Sequence, residues 1–371
     1  MPSHRPIRRI LMTADTVGGV WTYAIDLARG LAEYGVEVVL ATMGRPVSPQ
    51  QARQTAELTN VNVVESSYKL EWMDNPWLDV QRAGDWLLTL ENDFNPDLVH
   101  LNGYAHGQLP WREPHLVVAH SCVLSWWSAV KRETAGLEWT EYRNQVSSGL
   151  RAADMVIAPT RAMLAELRRH YGPMANTGVI ANGRQQARYT PGVKEPFILS
   201  AGRVWDEAKN IAILSEVRSA IDWPICVAGD ARHPNGDAAE LKCIRLLGVL
   251  GQEELASMYA RAAIYCCPAK YEPFGLSVVE AALSGCALVL GDIPSLRENW
   301  EGAAVFVDPH DPGSVQRALD GLIGNSQRRR TLASRAMKRA SRFTIERMTN
   351  SYISVYSRLV HGQPALAIAG D

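Results

Sequence analysis

Short runs of apolar, often β-branched residues recur between amphipathic stretches, and the pattern occurs twice; nothing else in the chain restricts its fold so strongly. "IRRILMTAD" reads as a strand, an amphipathic helix follows from about Val20 to Tyr34, and "VEVVLATM" reads as the next strand. "VNVVES", "DLVHLNG", "HLVVAHS" and "MVIAPT" continue the series, with helical segments near residues 79–91, 139–152 and 161–171. Strands that are apolar without interruption belong to a sheet covered on both faces, and alternation with helices makes that sheet parallel.

The rhythm stops at "NGRQQARYTPGVKEP", residues 182 to 196, where Gly, Pro and polar residues mark a linker. It then restarts with "FILSAGR", "PICVAGD", "IRLLGVL", "AIYCCPA" and "ALVLGD" as strands, and with helices over 210–220, 252–260 and 275–284. A chain of 371 residues is long for one core. The reading is therefore α/β with two Rossmann-like parallel-sheet domains, 1–185 and 186–349, whose facing edges would leave a cleft. Helices are expected over 311–323, 325–342 and 344–361, with the segment 350–371 packing back on the first domain. Ligands of such sheets bind beyond the carboxyl ends of the strands, so polar residues just after strands are the ones to weigh.

Composition removes several classes. A net charge of -1 argues against wrapping a nucleic acid. The basic stretch from Arg328 to Arg342 reads first as a solvated helix face and second as a weak contact for anionic lipid head groups. None of the six cysteines (Cys122, Cys226, Cys243, Cys266, Cys267, Cys286) forms a CxxC pair, so they read as small buried hydrophobes in a reducing compartment. No signal peptide is evident and no run approaches 18 apolar residues; a cytoplasmic protein, at most peripheral on the inner face of a membrane, is the expectation.

The stretch "KYEPFGLSVVEAALSGCALVLGD" carries the most chemistry. Glu272 falls in a strand-to-helix loop, and Glu280 lies roughly 7–8 Å along the axis of the helix that follows. A carboxylate flanked by core residues must be paired or meet a polar ligand. Between the two, Phe274-Gly275-Leu276 opens the helix, where free N–H groups make an anion site and Gly275 lets a phosphate approach. Hydroxyls at both ends with phosphate between describe a nucleotide-diphosphate sugar; a structural glutamate paired with a nearby Arg is the plainer alternative. Arg203 and Lys209, in "SAGRVWDEAKN", are cations after a strand that could stabilise a leaving diphosphate.

The run E-P-F-G-L-x-x-x-E, followed by Ala281-Ala282-x-x-Gly285, closely resembles the E-x7-E motif of retaining glycosyltransferases of family 4, which have the two-domain GT-B fold. The resemblance extends back through residues 246–269, forward to Glu298, and to a Gly-Arg…Lys motif at Arg203 and Lys209. It implies a catalytic set of Glu272, Arg203, Lys209 and His120, the last at the end of "HLVVAH". It also implies a donor site of Gly18, Gly19, Arg203, Lys209, Val249, Leu250, Glu272, Phe274, Gly275, Leu276 and Glu280, with the base held by backbone near Gly248. His100 and His106 are weaker candidates than His120. Trp72, Trp77, Trp86, Trp126, Trp127 and Trp139 are candidates for stacking on sugars, against core packing.

The chain departs from the family pattern at Gln185, at Gly229-Asp230-Ala231 and at Ile293-Pro294-Ser295, which bear on the hinge and on the room around the donor sugar. The expected activity is transfer of a hexose from a nucleotide sugar, UDP-glucose first and GDP-mannose second, to a glycan or lipid-linked saccharide. No D-x-D occurs, so no metal or other cofactor is expected. A nucleotide-sugar epimerase, a glycan phosphorylase and a non-catalytic carbohydrate-binding protein are the competing readings.

Overall fold

The computed structural model describes residues 6–231 and 244–362, and the chain divides into two compact units. The first takes in the chain up to Trp127, then Thr134–Gly183, and resumes at Ile345; the second holds Ser128–Glu133 and Arg184–Thr344.

The first unit is built on β1 (Arg9–Asp15), β2 (Glu37–Met43), β3 (Val61–Glu65), β4 (Leu98–Leu101), β5 (His115–Val118), β6 (Met155–Ala158) and β7 (Thr177–Val179). They pair in parallel in the order β3-β2-β1-β4-β5-β6-β7. The chain therefore winds outward in one direction from β1, then returns to β1's other side, where β4 puts His100 opposite Met12. This reversal is the place where open α/β sheets bind ligands.

Successive β1 residues feed opposite faces, as the two-residue strand period requires. Ile10, Met12 and Ala14 join one core cluster, while Leu11 joins another with Val39, Val99 and Val117. The closing helix, Ile345–Val360, lies on the first of these. Met348, Tyr352, Val355 and Tyr356 recur at helical spacing and enter that core. The helix passes so close to Gly30 that a Cβ there would lie 2.0 Å from Thr349 Oγ1. Residues 363–371 of the expected closing segment lie outside the described residues.

The second unit carries β8 (Glu195–Ala201), β9 (Ile225–Ala228), β10 (Arg245–Gly248), β11 (Ala262–Cys267), β12 (Ala287–Gly291) and β13 (Ala304–Val307). Their order, β10-β9-β8-β11-β12-β13, again parallel, repeats the reversal beside its first strand. Both units are thus Rossmann-like. Cys122, Cys226, Cys266, Cys267 and Cys286 are free and buried, and Cys243 lies outside the described residues. Among the described residues no helix is long and apolar enough to cross a membrane.

Candidate active site

The carboxyl ends of β8, β9 and β11 bring together most of the second unit's polar candidates. Gly229 and Gly202 meet backbone to backbone: the Gly202 amide donates to the Ala228 carbonyl at 2.9 Å. A Cβ on Gly229, where φ is +148°, would lie 1.8 Å from the Gly202 oxygen. No side chain fits between them, and the loop that carries Arg203 is held tightly against the end of β9.

That loop is a chain of local hydrogen bonds. The Ala208 amide donates to Asp206 Oδ1 at 3.0 Å, and the Lys209 amide to the Asp206 carbonyl at 2.9 Å. Arg203 Nη2 meets Asp206 Oδ2 at 2.7 Å, and its guanidinium lies 5.1 Å from the centre of the Trp205 ring. Burial favours a neutral Asp206, but Arg203 and Lys209 outweigh it and hold the carboxyl below its usual range. The acid between the two cations therefore stays ionised.

Lys209 Nζ reaches Glu272 Oε2 at 2.5 Å. Burial pushes the ammonium down, yet Glu272 opposes that strongly enough to leave it above its ordinary value. The backbone around Glu272 is fixed independently: Ser295 Oγ donates to its carbonyl at 2.5 Å, and the Lys270 amide donates to the Ala208 carbonyl at 2.9 Å. The Pro at residue 294 starts the helix Pro294–Trp300, and Ser295 follows it in the first turn.

Gly275 has φ +90° and ψ 62°, a left-handed conformation open to glycine at little cost. It begins the helix Leu276–Leu283, whose N-terminus no side chain caps. The first N–H groups of a helix have no partner within it, so they remain available to an anion. Phe274 is buried behind this turn, edge-on to Phe343 at 5.3 Å between centroids.

Glu280 lies on the buried face of that helix and pairs with Arg184 at 2.6 Å. Arg184 is itself seated over the Tyr189 ring at 5.3 Å and bonds the Tyr189 hydroxyl. The ion pair explains how a carboxylate can sit among apolar neighbours, and it leaves the rest of the carboxylate to a ligand. Val249 is exposed and Leu250 half-buried just after β10, while Glu298 is half-buried on the helix Pro294–Trp300.

In the first unit, Gly18 precedes and Gly19 begins the helix Gly19–Ala32, directly after β1. His120 stands two residues beyond β5, half-buried, with Nε2 2.8 Å from Asn102 Oδ1. Burial pushes its pKa down to about 3, so the ring is neutral near pH 7. His100 is fully buried in β4 and likewise held at about 3, first by burial and then by His120. His106 is tied to the Val80 carbonyl at 3.0 Å, away from these two. Trp77, Trp86 and Trp139 are half-buried and pack against the core; Trp126 and Trp127 contact each other edge-on, and Trp72 is half-buried.

Sequence reasoning missed Arg184, Asp206 and Asn102, and it gave Ser295 no hydrogen-bonding role. Asp206 had a local signal, three residues beyond Arg203 on the same loop. The other three act through partners far away in the chain. Among the described residues no three His, Cys, Asp or Glu side chains cluster as metal ligands.

Comparison with known proteins places this geometry. The profile of Glycosyltransferase Family 4 matches residues 17–188, and that of Glycosyl transferases group 1 matches residues 183–339. The D-inositol 3-phosphate glycosyltransferase of Corynebacterium diphtheriae is 26% identical, over 91% of this chain and 89% of its own length. Among solved structures, the sucrose-phosphate synthase of Thermosynechococcus elongatus superposes with a TM-score of 0.80 at 19% identity, covering 96% of this chain and all (100%) of that one. The Anabaena HepE protein in complex with UDP-glucose gives 0.76 at 18% identity, covering 95% and 100%. The chain belongs to the family 4 glycosyltransferases, enzymes built on the GT-B fold.

Proposed function

We propose that the chain moves a hexose from a nucleoside diphosphate sugar to a glycan or lipid-linked saccharide, with retention of configuration at the anomeric carbon and without a divalent metal. UDP-glucose is the leading donor and GDP-mannose the alternative. The observation that carries this reading is the 2.5 Å contact of Lys209 with Glu272, one loop before the uncapped helix start at Gly275. It sets a fixed cation, a carboxylate and open N–H groups within one short stretch of surface.

In the proposed mechanism the bond between the anomeric carbon and the diphosphate oxygen breaks, and its electron pair leaves with the diphosphate. Arg203, Lys209 and the helix N–H groups stabilise the charge that develops there, the work a metal does in other sites. Glu272 accepts hydrogen bonds from sugar hydroxyls, and Glu280, oriented by Arg184, accepts them from the ribose. The acceptor hydroxyl attacks on the face the diphosphate leaves, and a leaving phosphate oxygen takes its proton. The first unit is assigned to the acceptor. The enzyme is proposed to work in the cytoplasm, with exposed Arg328, Arg335 and Lys338 offering contact to anionic head groups. HepE, solved with UDP-glucose, supports the choice of leading donor as a structural relative only.

A thermal-shift screen of UDP-, GDP- and ADP-sugars tests the donor, since a ligand of the native state raises the melting temperature. Proton NMR of the product formed with a saccharide acceptor tests the stereochemistry. A shift with GDP-mannose alone would select the alternative donor. A nucleotide sugar altered without any acceptor would favour the epimerase, and dependence on inorganic phosphate the phosphorylase.

A further inference from the structure

The hydrogen bonds around Asn102 admit one assignment of protons. Asn102 Nδ2 lies 2.7 Å from the Thr13 carbonyl oxygen, which can only accept, so that atom is the amide nitrogen and donates. The Asn102 amide is further pinned by its own backbone N–H, which donates to Thr13 Oγ1 at 2.8 Å. The other terminal atom is therefore the amide oxygen, and it faces Nε2 of two histidines: His120 at 2.8 Å and His100 at 3.2 Å.

A carbonyl oxygen has no proton to give, so both Nε2 atoms must carry one. The Tyr23 oxygen, 3.3 Å from His100 Nε2, shares that ring's proton or adds its own lone pair to it. With both rings neutral, each Nδ1 is bare. The Tyr356 hydroxyl, on the closing helix, lies 2.7 Å from His100 Nδ1 and must donate to it. His120 Nδ1 has no such donor among the described residues. The Tyr23 ring, edge-on at 4.4 Å, holds the imidazole plane.

We infer that Asn102 is a positioning residue that fixes His120 in the Nε2–H tautomer and leaves Nδ1 as an open acceptor, so that His120 selects a sugar hydroxyl over a phosphate or carbonyl oxygen. The inference rests on the reading, implied by the family resemblance, of His120 as a residue of the catalytic set close to the donor sugar. A neutral imidazole with a bare Nδ1 repels the lone pairs of a phosphate oxygen but accepts an O–H. The same lock runs through His100 to Tyr356, which makes the closing helix part of what orients the ring.

Long-range 1H–15N NMR of the full chain labelled at histidine, with His120 assigned from a His120→Phe spectrum, reads the tautomer without turnover. An Nε2–H pattern for His120 at pH 7 is expected, and an Nδ1–H or imidazolium pattern overturns the lock whatever the activity. In kinetics, Asn102→Ala should raise KM for the donor sugar by about tenfold with a smaller change in kcat, the size of one hydrogen bond. Binding of the free nucleoside diphosphate should not change. Because Asn102 acts through His120, the Asn102→Ala/His120→Ala double variant should be no worse than His120→Ala, and additive losses in folded proteins would overturn the positioning role. Should Asn102→Ala fail to fold, the wild-type spectrum decides alone. Wild-type kinetics in His120→Ala would instead remove the sugar-site reading on which the hydroxyl selection depends.

Discussion

Arg184 and Glu280 meet at 2.6 Å with side chains only 2% and 9% exposed, though one begins the segment Arg184–Thr344 and the other lies in the helix after β11. A buried pair of this kind adds little net stability over apolar residues, but each charge depends on the other.

Glu280→Ala should therefore destabilise the protein by about 3–5 kcal/mol, because Arg184 is left buried without its main counter-charge. Glu280→Gln keeps an oxygen for Arg184 and should lose less. Both variants should weaken the donor and the free nucleoside diphosphate alike, as measured by calorimetry beside a urea titration. An unchanged urea midpoint in Glu280→Ala would show that Arg184 does not rely on this carboxylate.

Glu272 should behave differently, since it sits in the loop and not in the helix. Glu272→Gln is expected to spare affinity for the free nucleoside diphosphate while turnover falls sharply. Hydrogen bonds to charged groups contribute roughly 1.5–3 kcal/mol, enough for calorimetry to separate the two variants. Equal losses of nucleotide affinity would mean that the two carboxylates do not hold opposite ends of the donor.

Arg203→Ala and Lys209→Ala should each remove most transfer while circular dichroism stays native, as one positioned electrostatic contact can lower the barrier by on the order of 3–4 kcal/mol. Under the metal-free proposal, initial rates should survive excess EDTA. Loss of activity in EDTA that Mg²⁺ or Mn²⁺ restores would refute the metal-free proposal.

The two buried histidines make stability depend on pH. His100 and His120 are held at about 3 from an ordinary 6.5, so below pH 6.5 the unfolded chain takes up protons that the folded chain refuses. Stability should fall as pH drops from 6.5 towards 3, on the order of a kcal/mol per pH unit for each ring. Glu71 acts in the opposite sense. Burial raises its carboxyl from 4.5 to about 7 despite hydrogen bonds from the Ala105 and Tyr104 amides, so its contribution is lost as pH rises through that window. His100→Leu isolates the histidine part: urea midpoints should start lower at pH 7 yet decline less steeply towards pH 4 than in wild type. Parallel slopes in the two proteins would count against neutral burial of His100.

The parallel strands were readable because both of their faces are buried, which makes β6 and β12 apolar throughout and β1 and β5 apolar over most of their length. β7, three residues of Thr-Gly-Val, is too short to show a period, and β13 is half-exposed at a sheet edge. The helix Pro49–Ala56 has no buried residue, so it lacks an apolar stripe; its visible sign was the Ser48/Gln51 capping box. At the site, Glu272, Gly275 and Glu280 lie within one local motif and could be read together. The partners of those glutamates, Lys209 from the loop after β8 and Arg184 from the segment before it, lie far off in the chain, and only the tertiary fold chooses them. Asn102 was hidden for the same reason, being an ordinary polar residue after a strand until Thr13 and His120 are placed beside it.

The closing helix also sets an order of events during synthesis. All of the second unit lies before residue 345, so it can complete its core while the rest of the chain is still being made. The first unit cannot, because Met348, Tyr352, Val355 and Tyr356 belong to its core and follow the whole second unit along the chain. The contacts of this helix with Gly30 and His100 therefore form only after the second unit has been made, and the half begun first is completed after the other.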